Sequence, residues 1–270
     1  MYPELMCPES LKIELETIYN TYNRKEYIHP DPLEFVYQYE STIDREISGL
    51  IAASLAYGNV IQILKSVKTV LAMMDKSPFG YLEKKTFPSR IERDLKGFRH
   101  RFATGEHMAA LMKGIRSVID TWGSLNACFY HGLNMADSSE PVLSAMDFFV
   151  TSLKAGQPDC GHLLPVPSKG SACKRLNLYF RWMVRSDAVD PGVWENIPPS
   201  VLMIPLDTHM HAIGRRLGFT NRNQGNMKTA IEIRDGFRRI LPEDPVKYDF
   251  SLTRFGIRRE LNVEDIFNVK

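Results

Sequence analysis

Features that would assign this chain to a class at once are missing from its sequence. It has only four cysteines in 270 residues, at positions 7, 128, 160 and 173, and none of them forms a CxxC pair. Such spacing indicates no disulfide framework, so we expect a protein of a reducing, cytoplasmic compartment. With 44% hydrophobic residues, the chain is able to bury a sizeable core without cross-links or a structural metal.

Long apolar runs are missing too. No stretch approaches the roughly 18 uninterrupted apolar residues of a membrane span, and the amino-terminal residues are acidic where a signal peptide has its apolar region. The sequence therefore predicts a soluble, unexported protein without membrane contact. A strong charge of either sign is also absent, since the net charge is only +2. This charge does not by itself argue for a nucleic-acid partner.

Alternating strand patterns, internal repeats and low-complexity tracts are absent, and apolar residues recur instead at helical spacing. The sequence therefore predicts an all-α fold. We treat residues 1–270 as one unit with two approximate lobes, 40–155 and 156–270, the second joined by 1–39. Residues 156–171, rich in proline and glycine, separate the lobes or form a structured turn themselves. Helices are predicted over 60–74, 89–102, 107–122 and 141–155, and Ser41 to Asp44 resembles a capping box that begins another helix.

The segment after this turn carries the first candidate chemical group. An apolar stripe with spacings of three and four runs from Cys173 to Met183, and it predicts a helix whose other face holds Lys174, Arg181 and Arg185. In the first turn the helix dipole opposes a positive charge, which favours the neutral amine of Lys174, and a neutral amine is a nucleophile. Lys174 is therefore our candidate nucleophile.

A second candidate lies in the segment IPLDTHMHAIGRRLG. Pro205 ends the preceding segment, and Asp207 stands where it is able to cap a helix that begins at Thr208 and ends before Gly218. The free backbone N–H groups of a helix amino terminus hold an aspartate ionised and oriented. Asp207 is thus a candidate fixed negative charge, although helix capping alone also explains its position.

These two segments resemble the catalytic region of the helix-hairpin-helix DNA glycosylase superfamily. DTH at 207–209 followed by RLG at 216–218 is similar to the segment that carries the catalytic aspartate in glycosylases of the endonuclease III type. Residues 170–182 are similar to the stretch after the hairpin in archaeal 8-oxoguanine glycosylases, where a lysine heads a helix and an arginine follows seven residues later. Residues 173–194 and 242–257 also resemble a family of conserved bacterial proteins of unknown function.

The glycosylase resemblance implies a helical fold with a cleft between two lobes. It also implies a DNA-repair N-glycosylase, with or without AP lyase activity, that acts on a damaged or mispaired base in duplex DNA. The amine of Lys174 would attack the sugar C1′ of a flipped nucleotide, while Asp207 supports positive charge on the sugar. The residues implied to contact DNA are Lys169, Gly170 and Ser171 of the hairpin, together with Arg181, Arg185 and His209. For Arg181 and Arg185, a solvated helix face or pairing with Asp187 and Asp190 is the alternative.

The hairpin departs from the superfamily pattern. Its usual glycines are replaced in LLPVPSKGS, where Pro165 and Pro167 remove two N–H donors, so that Lys169 and the amides near Gly170 remain for phosphate capture. The resemblance allows a monovalent cation there. A different registration of the hairpin would make Lys169 the nucleophile in place of Lys174. Because no carboxy-terminal cysteine cluster is present, we expect no iron–sulfur cluster.

Two other functions fit parts of the same sequence. A non-catalytic nucleic-acid-binding protein on the glycosylase scaffold fits the altered hairpin. A metal-dependent hydrolase would use Asp207, His209 and His211, but histidines two apart point to different sides of a helix, unlike the four-residue spacing of zinc motifs. Near the carboxy terminus Asp244 is positioned as a cap, and we assign no chemistry to residues 247–249.

Overall fold

The computed structural model describes residues 8–84 and 86–257. This part of the chain is built from α-helices joined by turns, with one two-stranded hairpin, so the predicted all-α class is confirmed. Within the same ranges, no helix is long and apolar enough to cross a membrane. The elements are α1 (Pro8–Tyr22), α2 (Thr42–Ser54), α3 (Val60–Met73), α4 (Pro78–Glu83), α5 (Phe87–Asp94), β1 (Arg99–His100), β2 (Ala103–Thr104), α6 (Gly105–Trp122), α7 (Leu125–Asn134), α8 (Pro141–Lys154), α9 (Lys174–Val184), α10 (Thr208–Arg216), α11 (Met227–Arg238) and α12 (Asp249–Ile257).

Most helix boundaries follow local signals in the sequence. The predicted helices 60–74, 107–122 and 141–155 correspond to α3, α6 and α8, with ends that differ by at most two residues. The side chain of Asn59 caps α3 by accepting a backbone N–H of its first turn, and Gly123 ends α6 with a left-handed φ of 86°. These ends are encoded by neighbouring residues, which is why the sequence locates them.

The predicted helix over 89–102 is wrong in its second half. After α5 the chain turns at Gly97, whose φ is 81°, and forms the antiparallel hairpin of β1 and β2. The His100 imidazole is buried there, with Nδ1 2.9 Å from the Ser66 hydroxyl and Nε2 3.0 Å from the Tyr57 carbonyl oxygen. These partners lie on α3 and in the loop before it, so tertiary contacts hold the hairpin where local periodicity predicts a helix.

The capping box predicted at the start of α2 is also wrong. The Ser41 side chain makes no capping hydrogen bond. The Asp44 carboxylate instead accepts hydrogen bonds from the Ser77 hydroxyl at 3.0 Å and from the Phe79 backbone N–H at 2.7 Å. Asp44 therefore fixes the start of α4, a distant element, rather than the start of its own helix.

Helix α9 packs on α2, and most of its residues are buried. Aromatic rings from α7, α8, α9 and the following loop surround it. The Phe129 ring stacks on Phe180 with centroids 4.2 Å apart and on Trp194 at 5.8 Å, while Phe149 and Tyr179 extend the same cluster. Aromatic contacts of this kind add to the free energy gained by burial and fix the rotation of α9. That rotation decides which α9 side chains reach the cleft described below.

Glu46 of α2 is buried beside this aromatic cluster, with 1% of its surface exposed. Its carboxylate accepts hydrogen bonds from the backbone N–H groups of Leu125 at 3.0 Å and Asn126 at 3.2 Å, which open α7, and from the Trp194 indole at 2.8 Å. Burial raises the pKa of Glu46 to about 7, although the three N–H donors act in the opposite direction. One buried carboxyl thus joins α2, α7 and the loop after α9.

The raised pKa of Glu46 predicts a specific pH dependence of stability. Because the folded protein binds this proton more tightly than the unfolded chain, the contribution to stability is complete below the ordinary carboxyl pKa and is lost as the pH rises through about 7. Relative to Glu46→Gln, which cannot ionise, the wild-type free energy of unfolding should fall by about 2–3 kcal/mol between pH 5 and 8. Urea denaturation at each pH measures both proteins. Glu92→Gln, at an exposed position on α5, should leave this slope unchanged, and parallel curves for wild type and Glu46→Gln would contradict the assignment.

Candidate active site

The two residues singled out from the sequence meet in the structure. Lys174 is the first residue of α9 and Asp207 is the N-cap of α10, and the Lys174 Nζ lies 3.3 Å from Asp207 Oδ2. The side chain of Lys174 is 37% exposed and that of Asp207 is 16% exposed. The contact joins residues 33 positions apart through the start of two helices. It places an amine and a carboxylate side by side with partial access to solvent.

The Asp207 carboxylate is oriented by the helix that it caps. Its Oδ1 accepts the backbone N–H of Met210 at 2.8 Å, and its carbonyl oxygen accepts the N–H of His211 at 2.9 Å. Oδ2 is left facing Lys174. Because the free N–H groups and the dipole of α10 favour negative charge here, the aspartate forms a fixed anionic partner for the amine. The predicted cap and the predicted fixed charge are therefore compatible descriptions of one side chain.

The pair faces a cleft of about 620 Å³. Its walls come from residues 30–32, residues 56–60, and helices α9, α10 and α12. A second cavity of about 420 Å³ opens on the other side of Lys174, toward Ser171, and shares the wall formed by Ala56, Tyr57 and Gly58. Lys174 therefore stands between two cavities, with Asp207 lining the larger one.

Arg175 holds the start of α9 in place beside the nucleophile candidate. Its guanidinium donates to the Ser54 carbonyl oxygen at 2.5 Å, at the end of α2, and to the His162 carbonyl oxygen in the loop before α9. The guanidinium also lies over the Tyr57 ring, 4.7 Å from its centroid. Burial lowers the pKa of Arg175. These contacts fix Lys174 relative to the wall of the cleft.

Two further arginines, Arg181 on α9 and Arg185 directly after this helix, are buried rather than solvated. The side chain of Arg181 is 3% exposed, with Nε 3.2 Å from Asp190 Oδ1. The side chain of Arg185 is 4% exposed, contacts Asp190 and lies 2.8 Å from both the Asp187 and the Asp244 carboxylates. Because its guanidinium is enclosed by carboxylates, Arg185 offers almost no surface to a DNA phosphate. The structure shows the alternative to a DNA contact, which is pairing with Asp187 and Asp190. Arg181 is equally enclosed on one side but lines the larger cleft on the other.

Asp249 is a cleft residue to which the sequence reasoning assigned no chemistry. It begins α12, is 2% exposed, and accepts a hydrogen bond from Arg181 through Oδ2. Burial raises its pKa to about 6; the Arg181 charge opposes this shift and the nearby Asp207 adds to it. The positions of Asp249, Thr253 and Gly256, four and three residues apart, put them on one face of α12, and all three line the cleft. The spacing of these three residues is visible in the sequence, but it does not show that their face of α12 lines a cleft.

In the segment 163–171, where the glycosylase resemblance implies a DNA-binding hairpin, no residue lines the larger cleft, and Pro165 and Ser171 line the smaller cavity. The backbone N–H of Ser168 donates to the Asp147 carboxylate at 3.1 Å, and those of Lys169 and Gly170 donate to carbonyl oxygens three residues earlier at 3.1 and 2.9 Å. The expected phosphate capture by amides near Gly170 is therefore wrong for these three groups. The side chain of Lys169 is exposed and the amine of Lys174 is the one that meets Asp207.

The two histidines after Asp207 turn toward different neighbours. His209 packs against Gly256 of α12 and lines the cleft, whereas the His211 Nε2 lies 2.9 Å from the Arg222 carbonyl oxygen. Across residues 8–84 and 86–257, no group of three or more His, Cys, Asp or Glu side chains is placed to hold a metal ion. Asp207, His209 and His211 thus do not form the ligand set that the metal-dependent hydrolase would need.

The fold and the site together define an all-α protein with a lysine–aspartate pair at an internal cleft. The chain belongs to a family of proteins of unknown function, DUF2400, whose model matches residues 31–258. The resemblance to a family of unknown function is thereby confirmed, and the matched span includes every residue of the lysine–aspartate cleft named above except Pro30. Comparison with curated proteins and with solved structures gave no match.

Capping by Asp207 predicts how its variants differ in stability. Asp207→Ala should lower the free energy of unfolding by about 1 kcal/mol because the α10 N–H groups lose their acceptor, whereas Asp207→Asn, also a good N-cap, should stay within a few tenths of wild type. Chemical denaturation measures both. If both variants lose the same free energy of unfolding, the negative charge of Asp207, and not its hydrogen bond to the helix, stabilises the fold.

The enclosed arginines predict a larger effect at Asp190. Asp190→Ala leaves Arg181 and Arg185 buried with fewer partners, and the free energy of unfolding should fall by about 3–5 kcal/mol. Asp120→Ala, which removes an exposed partner of Arg116 on α6, should change it by less than about 1 kcal/mol. Thermal and urea unfolding of both variants test the contrast, which would be refuted by similar losses.

Proposed function

We propose that this protein is a DNA-repair N-glycosylase, with or without AP lyase activity, that acts on a damaged or mispaired base in duplex DNA. Lys174 serves as nucleophile and Asp207 as catalytic carboxylate. The observation that carries the proposal is the 3.3 Å approach of the two groups at the cleft of about 620 Å³. The proposal includes a helix-hairpin-helix glycosylase-like fold, with the cleft between lobes 40–155 and 156–270 plus 1–39, and a cytoplasmic location with the cell's DNA.

The proposed reaction uses both groups at the sugar. The Lys174 amine forms a bond to C1′ as the bond between C1′ and the base nitrogen breaks, and the base leaves with the electron pair and takes up a proton. Asp207 stabilises the positive charge on the sugar and accepts the proton that the amine loses. Opening of the sugar ring gives an imine between Nζ and C1′. In the lyase branch, loss of a C2′ proton expels the 3′ oxygen and breaks the strand, and water then releases the amine.

The geometry supports this assignment in three ways. The carboxylate is held by α10 and need not reorganise, which is the arrangement that stabilises charge developing in a transition state. The volume of the larger cleft lies within the range of small-ligand pockets and accommodates a nucleoside. Lys174 is partly exposed where it meets Asp207, whereas Lys169 is outside the described lining of both cavities.

DNA contact on this proposal depends on side chains more than on hairpin amides. Lys169 and Ser171 are exposed, and Ser171 lines the smaller cavity. A flipped nucleotide is required because the glycosidic bond is inaccessible in stacked DNA, and the cost of flipping is lowest for a mismatched or damaged base. We therefore expect recognition to combine easy flipping with contacts inside the cleft, His209 among them.

The proposal predicts a covalent adduct that depends on Lys174. Duplexes that carry 8-oxoguanine, uracil, an alkylated base or an abasic site are incubated with the protein and borohydride, which reduces an imine to a stable amine. Wild type should give a cross-linked species with at least one duplex, and Lys174→Ala should abolish it. Asp207→Asn, which keeps the helix cap, should lower the rate by about 100-fold or more.

Lys169→Ala is the matched control for the nucleophile, because it removes an amine five residues away that does not line the cleft. It should retain the adduct. An adduct that survives in Lys174→Ala and disappears in Lys169→Ala would transfer the role to Lys169. Salt-dependent DNA binding that Asp207→Asn leaves unchanged, with no product or adduct on any duplex, would favour the non-catalytic nucleic-acid-binding protein instead.

A further inference from the structure

Asp249, which lines the larger cleft, carries a buried acceptor atom that the proposed chemistry does not use. Asp249 is 2% exposed, and its Oδ2 is occupied by the Arg181 guanidinium. Its Oδ1 has no hydrogen-bond partner among residues 8–84 and 86–257. A buried polar atom without a partner is costly, and such atoms are rare in folded proteins. Since Asp249 lines the cleft, a ligand bound there is able to supply the missing donor.

Helix α9 sets the separation between this acceptor and the nucleophile. Lys174, Leu178 and Arg181 are spaced four and three residues apart, so they lie along one face of α9, and all three line the cleft. Seven residues correspond to about 10 Å along a helix axis. The end of the cleft at Lys174 receives the sugar on the proposed function, and the end at Arg181 and Asp249 then faces the far edge of the base.

The neighbours of Asp249 fix its carboxylate in one orientation. Arg181 holds Oδ2 and is itself held by Asp190, while Arg254 stacks on the Phe250 ring, 4.2 Å from its centroid, and bonds to Asp31 at 3.2 Å. A carboxylate accepts hydrogen bonds and donates none when ionised. An acceptor fixed in this way discriminates between base edges that carry an N–H and those that carry a bare nitrogen.

We propose that Asp249 Oδ1 accepts a hydrogen bond from a ring N–H on the edge of the base in the cleft. Asp249 is then a specificity-determining residue that favours bases with a ring N–H, such as hypoxanthine, over isosteric bases with an unprotonated ring nitrogen, such as adenine. This inference rests on the proposed function, because it takes the ligand to be a flipped base whose sugar lies at Lys174.

The test compares these two purines in otherwise identical duplexes. Each purine stands opposite a tetrahydrofuran abasic analogue, so that neither is paired, and each has a 2′-fluoro sugar, so that binding is measured without bond cleavage. A fully paired duplex gives the background affinity. Wild type should bind the hypoxanthine duplex about tenfold or more tightly than the adenine duplex. Asp249→Asn replaces an acceptor oxygen by an amide that also offers an N–H, and it should reduce this ratio by about tenfold.

Asp244→Asn is the matched control. Asp244 also pairs with a buried arginine, Arg185, but it does not line the cleft, and the substitution removes its charge. The ratio of its affinities for the hypoxanthine and adenine duplexes should equal that of wild type. An unchanged ratio in Asp249→Asn, with both purine duplexes bound above background, would overturn the specificity role and leave the glycosylase proposal intact. If wild type binds neither purine duplex above background, the cleft does not take either base and the specificity role fails, whereas the glycosylase proposal is decided separately by the borohydride adduct with the other duplexes.

A pH series keeps the test decisive if Asp249→Asn does not fold. The pKa of Asp249 near 6 means that its carboxyl gains a proton between pH 8 and 5 and becomes a donor, so the wild-type ratio should fall over this range. The charged groups that face Asp249 are Arg181 on α9, Asp190 in the following loop, Asp207 at α10 and Arg254 on α12. His209 also lines the cleft, and the fall should therefore persist in His209→Gln. A ratio independent of pH would overturn the inference.

Discussion

The structure depends on the ion pairs that Arg181 and Arg185 make beneath the cleft. Arg181 lies on α9 and Arg185 directly follows this helix. Together they meet Asp187 and Asp190 in the next loop, Asp244 before α12, and Asp249 at the start of α12. Two guanidinium groups are taken out of water here, which is tolerable only because carboxylates surround them. The network joins α9 to the carboxy-terminal helices by directional contacts, where apolar packing alone would permit rotation or sliding.

The same helix carries both ends of the cleft, and this gives the network a functional consequence. Lys174 stands at the amino terminus of α9 and Arg181 two turns later, and both line the cleft. The ion pairs that hold α9 in place therefore also fix the positions of these two residues along the cleft. Arg175 adds a second anchor at the amino-terminal end, through α2 and the loop before α9. The cleft is therefore framed by helices that several contacts hold in place, and these contacts keep the Lys174 amine next to the Asp207 carboxylate.

Residues near the site show how far sequence reasoning reaches. Asp207 was located from its own surroundings, because capping depends on the residues that directly follow. Lys174 was located from the stripe of α9 and from a family resemblance. For Arg185 the sequence left both a DNA contact and pairing with Asp187 and Asp190 open, because helical periodicity assigns a residue to a face without saying what covers that face. Acidic residues from a loop and from before α12 cover it. Asp249 was missed because its partner is 68 positions away.

The sequence by itself determined the helical class, most helix ends, and two residues with the chemistry of a nucleophile and a fixed anion. The helical class and the helix ends follow from periodicity and capping, which depend on residues close in sequence, whereas the choice of the two residues also rested on the family resemblance. Only the tertiary structure decided that Lys174 and Asp207 touch, that residues 99–104 form a hairpin, and that Asp249 lines the cleft. Each of these depends on contacts between residues distant in sequence. Such contacts form because burial of apolar surface and pairing of buried charges are properties of the whole fold.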